Sequence, residues 1–180
     1  MANLPQLNTF DNRSFHQGTS QVKVVMWYVI NHTFINSFLP FNGLKKFFLR
    51  LFGAKIGKGV LIKPFVNIKY PWKLIIGNDV WIGEKVWIDN LDNVRIEHNV
   101  CISQGAMLLC GNHNYKKTTF DLITAPIILE EGVWICAKAM VGPGVVCEKG
   151  AILSPNSFAN GNLKPMSIYS GVPAQFVKER

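Results

Sequence analysis

An aliphatic residue recurs at every sixth position from Ile56: Ile56, Ile62, Ile68 and Leu74, then, after a two-residue shift, Ile76, Ile82, Ile88 and Val94. A second shift leads to Ile96, Ile102 and Leu108, and beyond a longer interruption the series returns at Leu129, Ile135, Val141, Cys147, Leu153 and Ala159. This spacing fits neither the 3.6-residue period of a helix nor plain strand alternation. Four residues after each marker stands a second small or aliphatic residue, as at Val60, Val80, Val100, Ala106, Val133 and Ala151. Two inward residues with one outward residue between them make a short strand. One position earlier come Gly59, Asp79, Asn99, Gly105, Gly132 and Gly150, residue types that tolerate the positive φ of a sharp turn. Each hexad therefore predicts one short strand and one corner.

Ile56, Ile76 and Ile96 are twenty residues apart, which is three hexads plus two residues. Three hexads to a turn predict an all-β solenoid, a parallel β-helix shaped as a triangular prism of about five coils between Ile56 and Asn162. The two additional residues follow the third hexad each time, and the interruption at about 112–128 falls at the same corner. The outward residues sort into columns: Leu61, Trp81, Cys101, Trp134 and Ile152 after the first hexad, and Asn67, Trp87, Met107, Met140 and Phe158 after the second. Both are mostly apolar and read as subunit contact surfaces, with Trp81, Trp87 and Trp134 at their centre. The third column is expected at Lys73, Asn93, His113, Val146 and Lys164.

Outside the prism the period changes. Residues 22–38 and 43–52 pattern as helices, the second with Leu44, Phe47, Phe48 and Leu51 on one face, and are expected to cap the N-terminal end of the solenoid. The chain thus divides into a helical cap over 1–55, the repeat over 56–164 with its loop at about 112–128, and an irregular tail over 165–180, where Pro165 and Pro173 argue against a helix.

Composition narrows the function classes. The 180 residues carry a net charge of +8, which invites an anionic partner. Apart from Lys45, Lys46 and Arg50 the basic residues are scattered and accompany no nucleic-acid motif, so nucleic acid is not expected. The Phe-rich stripe beside those three leaves room for peripheral contact with the inner face of a membrane. The apolar stretch from Val22 to Phe41 is interrupted by Lys23, Asn31, His32, Thr33 and Asn36, so a packed helix is expected there and not a span. Four cysteines without CxxC spacing and a start, MANLPQLNTF, without a signal-peptide pattern fit a cytoplasmic protein.

The hexads, with WIGEKVWIDN, SQGAMLLCGNHNY, WICAKAMVGPGVV and the closing SGVPA, resemble the hexapeptide-repeat acyltransferases. LRLFGAKIGKGVLI and YPWKLIIG are most similar to the colanic-acid-type exopolysaccharide O-acetyltransferases within that family. The resemblance implies a left-handed coil, a homotrimer with sites in clefts between neighbouring prisms, and acetyl-CoA as acyl donor. Acetyl transfer to a sugar hydroxyl needs a base for the hydroxyl proton and donors for the oxyanion. His113, in the glycine- and asparagine-rich GNHNY loop, matches the family's catalytic histidine. Asp89 and Asn90, at the corner one coil below, resemble acceptor-binding positions, although a plain turn also uses these residue types. Gln104 is a weaker candidate of the same kind, with Ser103. For CoA the resemblance maps onto Ala137, Pro155, Asn160, Gly161 and Lys178. Many relatives have Thr-Lys where this chain has Asn160-Gly161, so one positive charge is missing, with Lys164 or Lys138 as replacements.

No metal is expected, because a zinc site on such a prism needs three converging histidines and only His98 and His113 lie in the repeat. A cysteine nucleophile is disfavoured, with Cys147 inward and Cys101 on an apolar face. The expected function is an acetyl-CoA-dependent O-acetyltransferase of a saccharide hydroxyl in surface-polysaccharide biosynthesis. N-acetylation of an amino sugar, serine acetylation and a non-catalytic trimeric scaffold are the alternatives.

Overall fold

The computed structural model describes residues 4–13 and 15–180; the first three residues of the MANLPQLNTF start, which lacks a signal-peptide pattern, lie outside the described residues. From Lys55 onward the chain winds into a left-handed parallel β-helix with three flat faces. Face A stacks Lys55–Ile56, Leu74–Ile76, Val94–Ile96, Ile127–Leu129 and Val146–Cys147. Face B stacks Leu61–Ile62, Trp81–Ile82, Cys101–Ile102, Trp134–Ile135, Ile152–Leu153 and Ser167–Gly171, and face C stacks Asn67–Ile68, Trp87–Asp89, Met107–Leu109, Met140–Val141 and Phe158–Ala159. Ile62, Val66, Ile82, Val86, Ile102, Leu108, Ile135 and Leu153 fill the axis and are buried. Gly59, Asp79, Asn99 and Gly105 turn their corners with φ between 57° and 68°.

The coil count is slightly higher than the hexads suggested. Five coils close fully, a bridge from Cys147 to Leu163 begins a sixth, and Ser167–Gly171 adds a sixth strand to face B by pairing with Ile152–Leu153. The tail is not irregular: Ala174–Glu179 folds back antiparallel on that strand, and Arg180 donates to the Gly132 and Gly150 carbonyls at 3.0 Å each. Pro165 and Pro173 excluded a helix here but are compatible with strands that start or turn beside them.

The columns on faces B and C are those expected, in register from Leu61 through Trp81, Cys101 and Trp134 to Ile152, and from Asn67 through Trp87, Met107 and Met140 to Phe158. The third column is corrected. On face A the outward residues are Lys55, Ile75, Arg95, Ile128 and Val146. The two additional residues precede the face A strand, so the outward slot falls at Ile75 and Arg95 and not at Lys73 and Asn93. Only Val146, whose coil has no addition, stays in place.

An open solenoid end exposes unpaired strand groups, and the N-terminal helices satisfy them through side chains. Helix α1 (Gln21–Ile30) continues as a π turn over Asn31–Ile35 and stops short of the expected residue 38; α2 spans Asn42–Leu51. On face C, Trp27 Nε1 donates to Ile68 O at 2.9 Å. On face B, Asn42 brackets the strand, donating to Val60 O and accepting from Ile62 N. On face A, Arg50 donates to Ile56 O and Gly57 O. Lys45 does the same at the following corner, donating to Lys63 O at 2.9 Å while only 1% exposed. Lys45 therefore leaves the basic stripe read from the sequence: it is a buried plug, and burial lowers its pKa. No helix among the described residues is long and apolar enough to cross a membrane.

Candidate active site

The corner between face C and the next face A strand carries every additional residue of the repeat. After Met107–Leu109 the chain leaves the prism as an antiparallel hairpin, with Gly111–His113 paired to Leu122–Thr124. Gly111 lies so close to the coil below that a Cβ there would come within 2.5 Å of a Leu91 methyl. His113 is half-buried, its ring stacked on Phe120 with centroids 4.3 Å apart and planes 1° from parallel. Its Nδ1 lies 2.9 Å from Phe120 O. A carbonyl can only accept, so Nδ1 carries the proton in neutral imidazole and Nε2 keeps its lone pair.

His113 and Asp89 wall one cleft of about 360 Å³, together with Lys69, Tyr70 and Leu122. Lys69 Nζ lies 2.9 Å from Asp89 Oδ1, near enough for an ion pair but off the line of a hydrogen bond, so this buried oxygen lacks a directed partner. Tyr70 is 6% exposed, and burial followed by the Asp89 charge raises its phenol pKa, which keeps it neutral. Asn90 does not face the cleft. It is fully buried, accepting from Tyr70 N at 2.9 Å and donating to Tyr70 O at 2.6 Å, so both functional ends of its amide are spent on the corner one coil below. The turn reading holds for this half of the pair.

The remaining candidates lie along other corners. Gln104, Ala137 and Pro155 stand one above another between faces B and C, where Lys138 N donates to Gln104 O and Asn156 N to Ala137 O. Asn160 and Gly161 are exposed on the His113 side of face C, two coils further along. Lys178 is exposed on the final strand. Within one protomer, then, Gln104 is not brought to His113; face C separates them.

The opposite wall of the cleft was not legible in the sequence. A segment described over residues 6–13 and 15–17 crosses the hairpin, with Gln6 N donating to Thr118 O at 2.7 Å and Phe10 meeting the His113 ring edge-on at 5.7 Å. Its far end is tied down by Trp72 Nε1, which donates to Gln17 O at 2.7 Å. No periodicity marks these residues, and their placement depends on partners more than fifty positions away. Cys110, Cys136 and Cys147 are buried, and burial pushes their thiols up to about 12, 11 and 12 respectively, which removes them as nucleophiles at neutral pH. No group of three or more metal-ligating side chains gathers among the described residues.

No family model matches the chain. It is 33% identical over 178 residues to WcaF of Escherichia coli (strain K12), whose name assigns it to colanic acid biosynthesis as an acetyltransferase, with 98% of each chain covered. The chain belongs to the colanic-acid-type hexapeptide-repeat acetyltransferases. This acetyltransferase is also 23% identical over 129 residues to the galactoside O-acetyltransferase of the same organism, covering 70% of this chain and 64% of that one. Among solved structures it superposes on a hexapeptide-repeat acetyltransferase of Vibrio cholerae complexed with acetyl coenzyme A, with a TM-score of 0.82, 16% identity and 96% of both chains covered. A galactoside acetyltransferase in complex with coenzyme A gives a TM-score of 0.78 at 20% identity, over 88% of this chain and 80% of that one. At these identities the two structures speak for the shared fold.

Proposed function

We propose that the enzyme moves an acetyl group from acetyl-CoA to a hydroxyl of a saccharide, with His113 as general base, in the assembly of a surface polysaccharide. The observation that carries this reading is the Nδ1 contact to Phe120 O, which leaves Nε2 as the proton acceptor of a ring held beside a cleft that Asp89 also lines. Nε2 takes the hydroxyl proton as the oxygen attacks the thioester carbonyl. Main-chain N–H groups hold the oxyanion, the C–O bond forms, the C–S bond breaks, and the proton passes to the departing CoA thiolate. Asp89 accepts a hydrogen bond from the acceptor and positions it.

The working unit is a homotrimer in which a neighbour's corner between faces B and C, carrying Gln104, Ala137 and Pro155, approaches the His113 hairpin to enclose CoA. Trp81 and Trp134, 61% and 43% exposed on face B, supply the apolar contact. Lys138, exposed beside Ala137 on that edge, supplies the phosphate charge absent from Asn160-Gly161, with Lys178 and Lys164 further along the same end. The relatives' names point to carbohydrate: colanic acid, a galactoside and lipopolysaccharide. Incubation with acetyl-CoA and a panel of saccharides, amino sugars and serine tests the reading, with CoA release followed and products assigned by NMR. An O-acetylated sugar is expected; N-acetylated product alone, or CoA release with none of the panel, would overturn it.

A further inference from the structure

The cleft at His113 has a neighbour. Lys69, Tyr70 and Asp89, which wall that cleft, also wall a groove of about 380 Å³ that runs between α1 and face C. Both volumes fall in the range of small-molecule sites. One side of the groove is Trp87, held outward by the register of face C and 39% exposed. The other is α1, which presents Tyr28 and fixes Asn31 against the first coil by an Nδ2 hydrogen bond to Asn67 Oδ1 at 2.7 Å. That bond occupies the Asn67 carbonyl oxygen; its own amide donors meet no partner among the described residues.

We infer that this groove is a second sugar subsite, so that the acceptor is an oligosaccharide with its reacting ring at His113 and an adjoining ring on Trp87. The inference rests on the saccharide reading above. A pyranose has an apolar face of C–H groups bounded by hydroxyls that both donate and accept. Trp87 offers the flat apolar surface, Asn67 free amide donors, the Tyr28 hydroxyl both functions, and Asp89, ion-paired with Lys69, a carboxylate oxygen that still lacks a directed hydrogen bond where the two cavities adjoin. A nucleoside diphosphate fits this groove poorly. Lys69, the only cation among its described lining residues, is already paired, and its partner Asp89 would repel the phosphates. The inference assigns Trp87, grouped in the sequence with the subunit contacts, to a sugar ring beneath α1 instead.

The test compares kcat/KM for a monosaccharide and for di- and trisaccharides built on it, in the parent and in Trp87→Ala, Trp87→Phe and Asn67→Ala. The parent should prefer the longer acceptors by about tenfold or more, the worth of one well-packed contact. That ratio should collapse toward one in Trp87→Ala, fall in Asn67→Ala and recover in Trp87→Phe. Equal use of short and long acceptors by the parent, or a preference that survives Trp87→Ala, overturns the subsite. Saturation-transfer NMR with the same sugars separates this inference from the acetyl-transfer reading. Oligosaccharide binding that depends on Trp87 without acetylation would uphold the groove and count against the proposed reaction. Binding of the nucleoside diphosphate dTDP in place of any sugar, lost in Trp87→Ala, would overturn the sugar subsite and reassign the groove to a nucleotide.

Discussion

The two nitrogens of a histidine have separate duties, and at residue 113 they are set apart by Phe120, whose carbonyl engages Nδ1 and whose ring stacks on the imidazole. The hairpin puts the two seven residues apart in sequence and face to face in space, so the tautomer is fixed without a carboxylate behind the ring. Chemistry at the thiols is suppressed in the same residue-by-residue way. Cys110 and Cys147 resist ionisation up to about 12 and Cys136 up to about 11, in each case chiefly through burial. In the native protein at neutral pH a thiol-alkylating reagent should leave these three unmodified and react with them after denaturation, as peptide mass mapping would read directly. The folded state holds these protons more tightly than the unfolded chain, so this contribution is intact below the ordinary thiol value of 9.0 and drains away as pH rises toward 12. Rapid native labelling of Cys110 would contradict the packing at the foot of the hairpin.

At the scale of elements, the hexad period made the strands, the corners and two outward columns legible, because inward side chains have no alternative to the prism axis. Face A was misplaced by two residues because a periodic count says that residues are added at a corner but not on which side of the strand. The tail strands were missed because they pair with the last coil and with each other without continuing the hexad, and the N-terminal segment because its ends at Gln6 and Gln17 are held by single hydrogen bonds to residues far away in sequence, which leave no repeating mark. Lys45 shows how an exposed-looking charge in a basic run can be structural. The Lys63 carbonyl at the open end of the coil claims its ammonium, and desolvation is the cause of its lowered pKa. Lys45→Glu should place an unpaired carboxylate against that carbonyl and destabilise the cap by about 3–5 kcal/mol. Lys45→Met, which keeps the apolar stem, should cost about 1–3 kcal/mol for the carbonyl left unpaired. Lys46→Glu, on a half-buried position of α2 whose ammonium meets no hydrogen-bond or ion-pair partner among the described residues, should lower the melting temperature much less. Thermal unfolding followed by circular dichroism distinguishes the three, and equal effects at positions 45 and 46 would contradict the plug.

For the whole molecule, a single prism leaves the candidate residues on separate corners, with face C between His113 and the Gln104–Ala137–Pro155 edge. In the proposed homotrimer a second copy of the chain brings such an edge to the hairpin, so assembly and activity should fail together. Light scattering should give a mass three times the 20.2 kDa of the chain. The double substitution Trp81→Glu and Trp134→Glu should give a folded monomer with little transferase activity; an active monomer would refute the shared site. The central claim, that His113 Nε2 removes the acceptor proton, is tested most directly by the pH dependence of acetyl transfer in the parent and in His113→Ala, on trimers of equal CoA affinity. The parent rate should depend on pH, because a general base can take the hydroxyl proton only in its unprotonated form. The variant should be slower by about 10²–10⁴-fold and lose that dependence. A His113→Ala enzyme that keeps the parent's pH profile and a rate within a few fold of it would contradict the account.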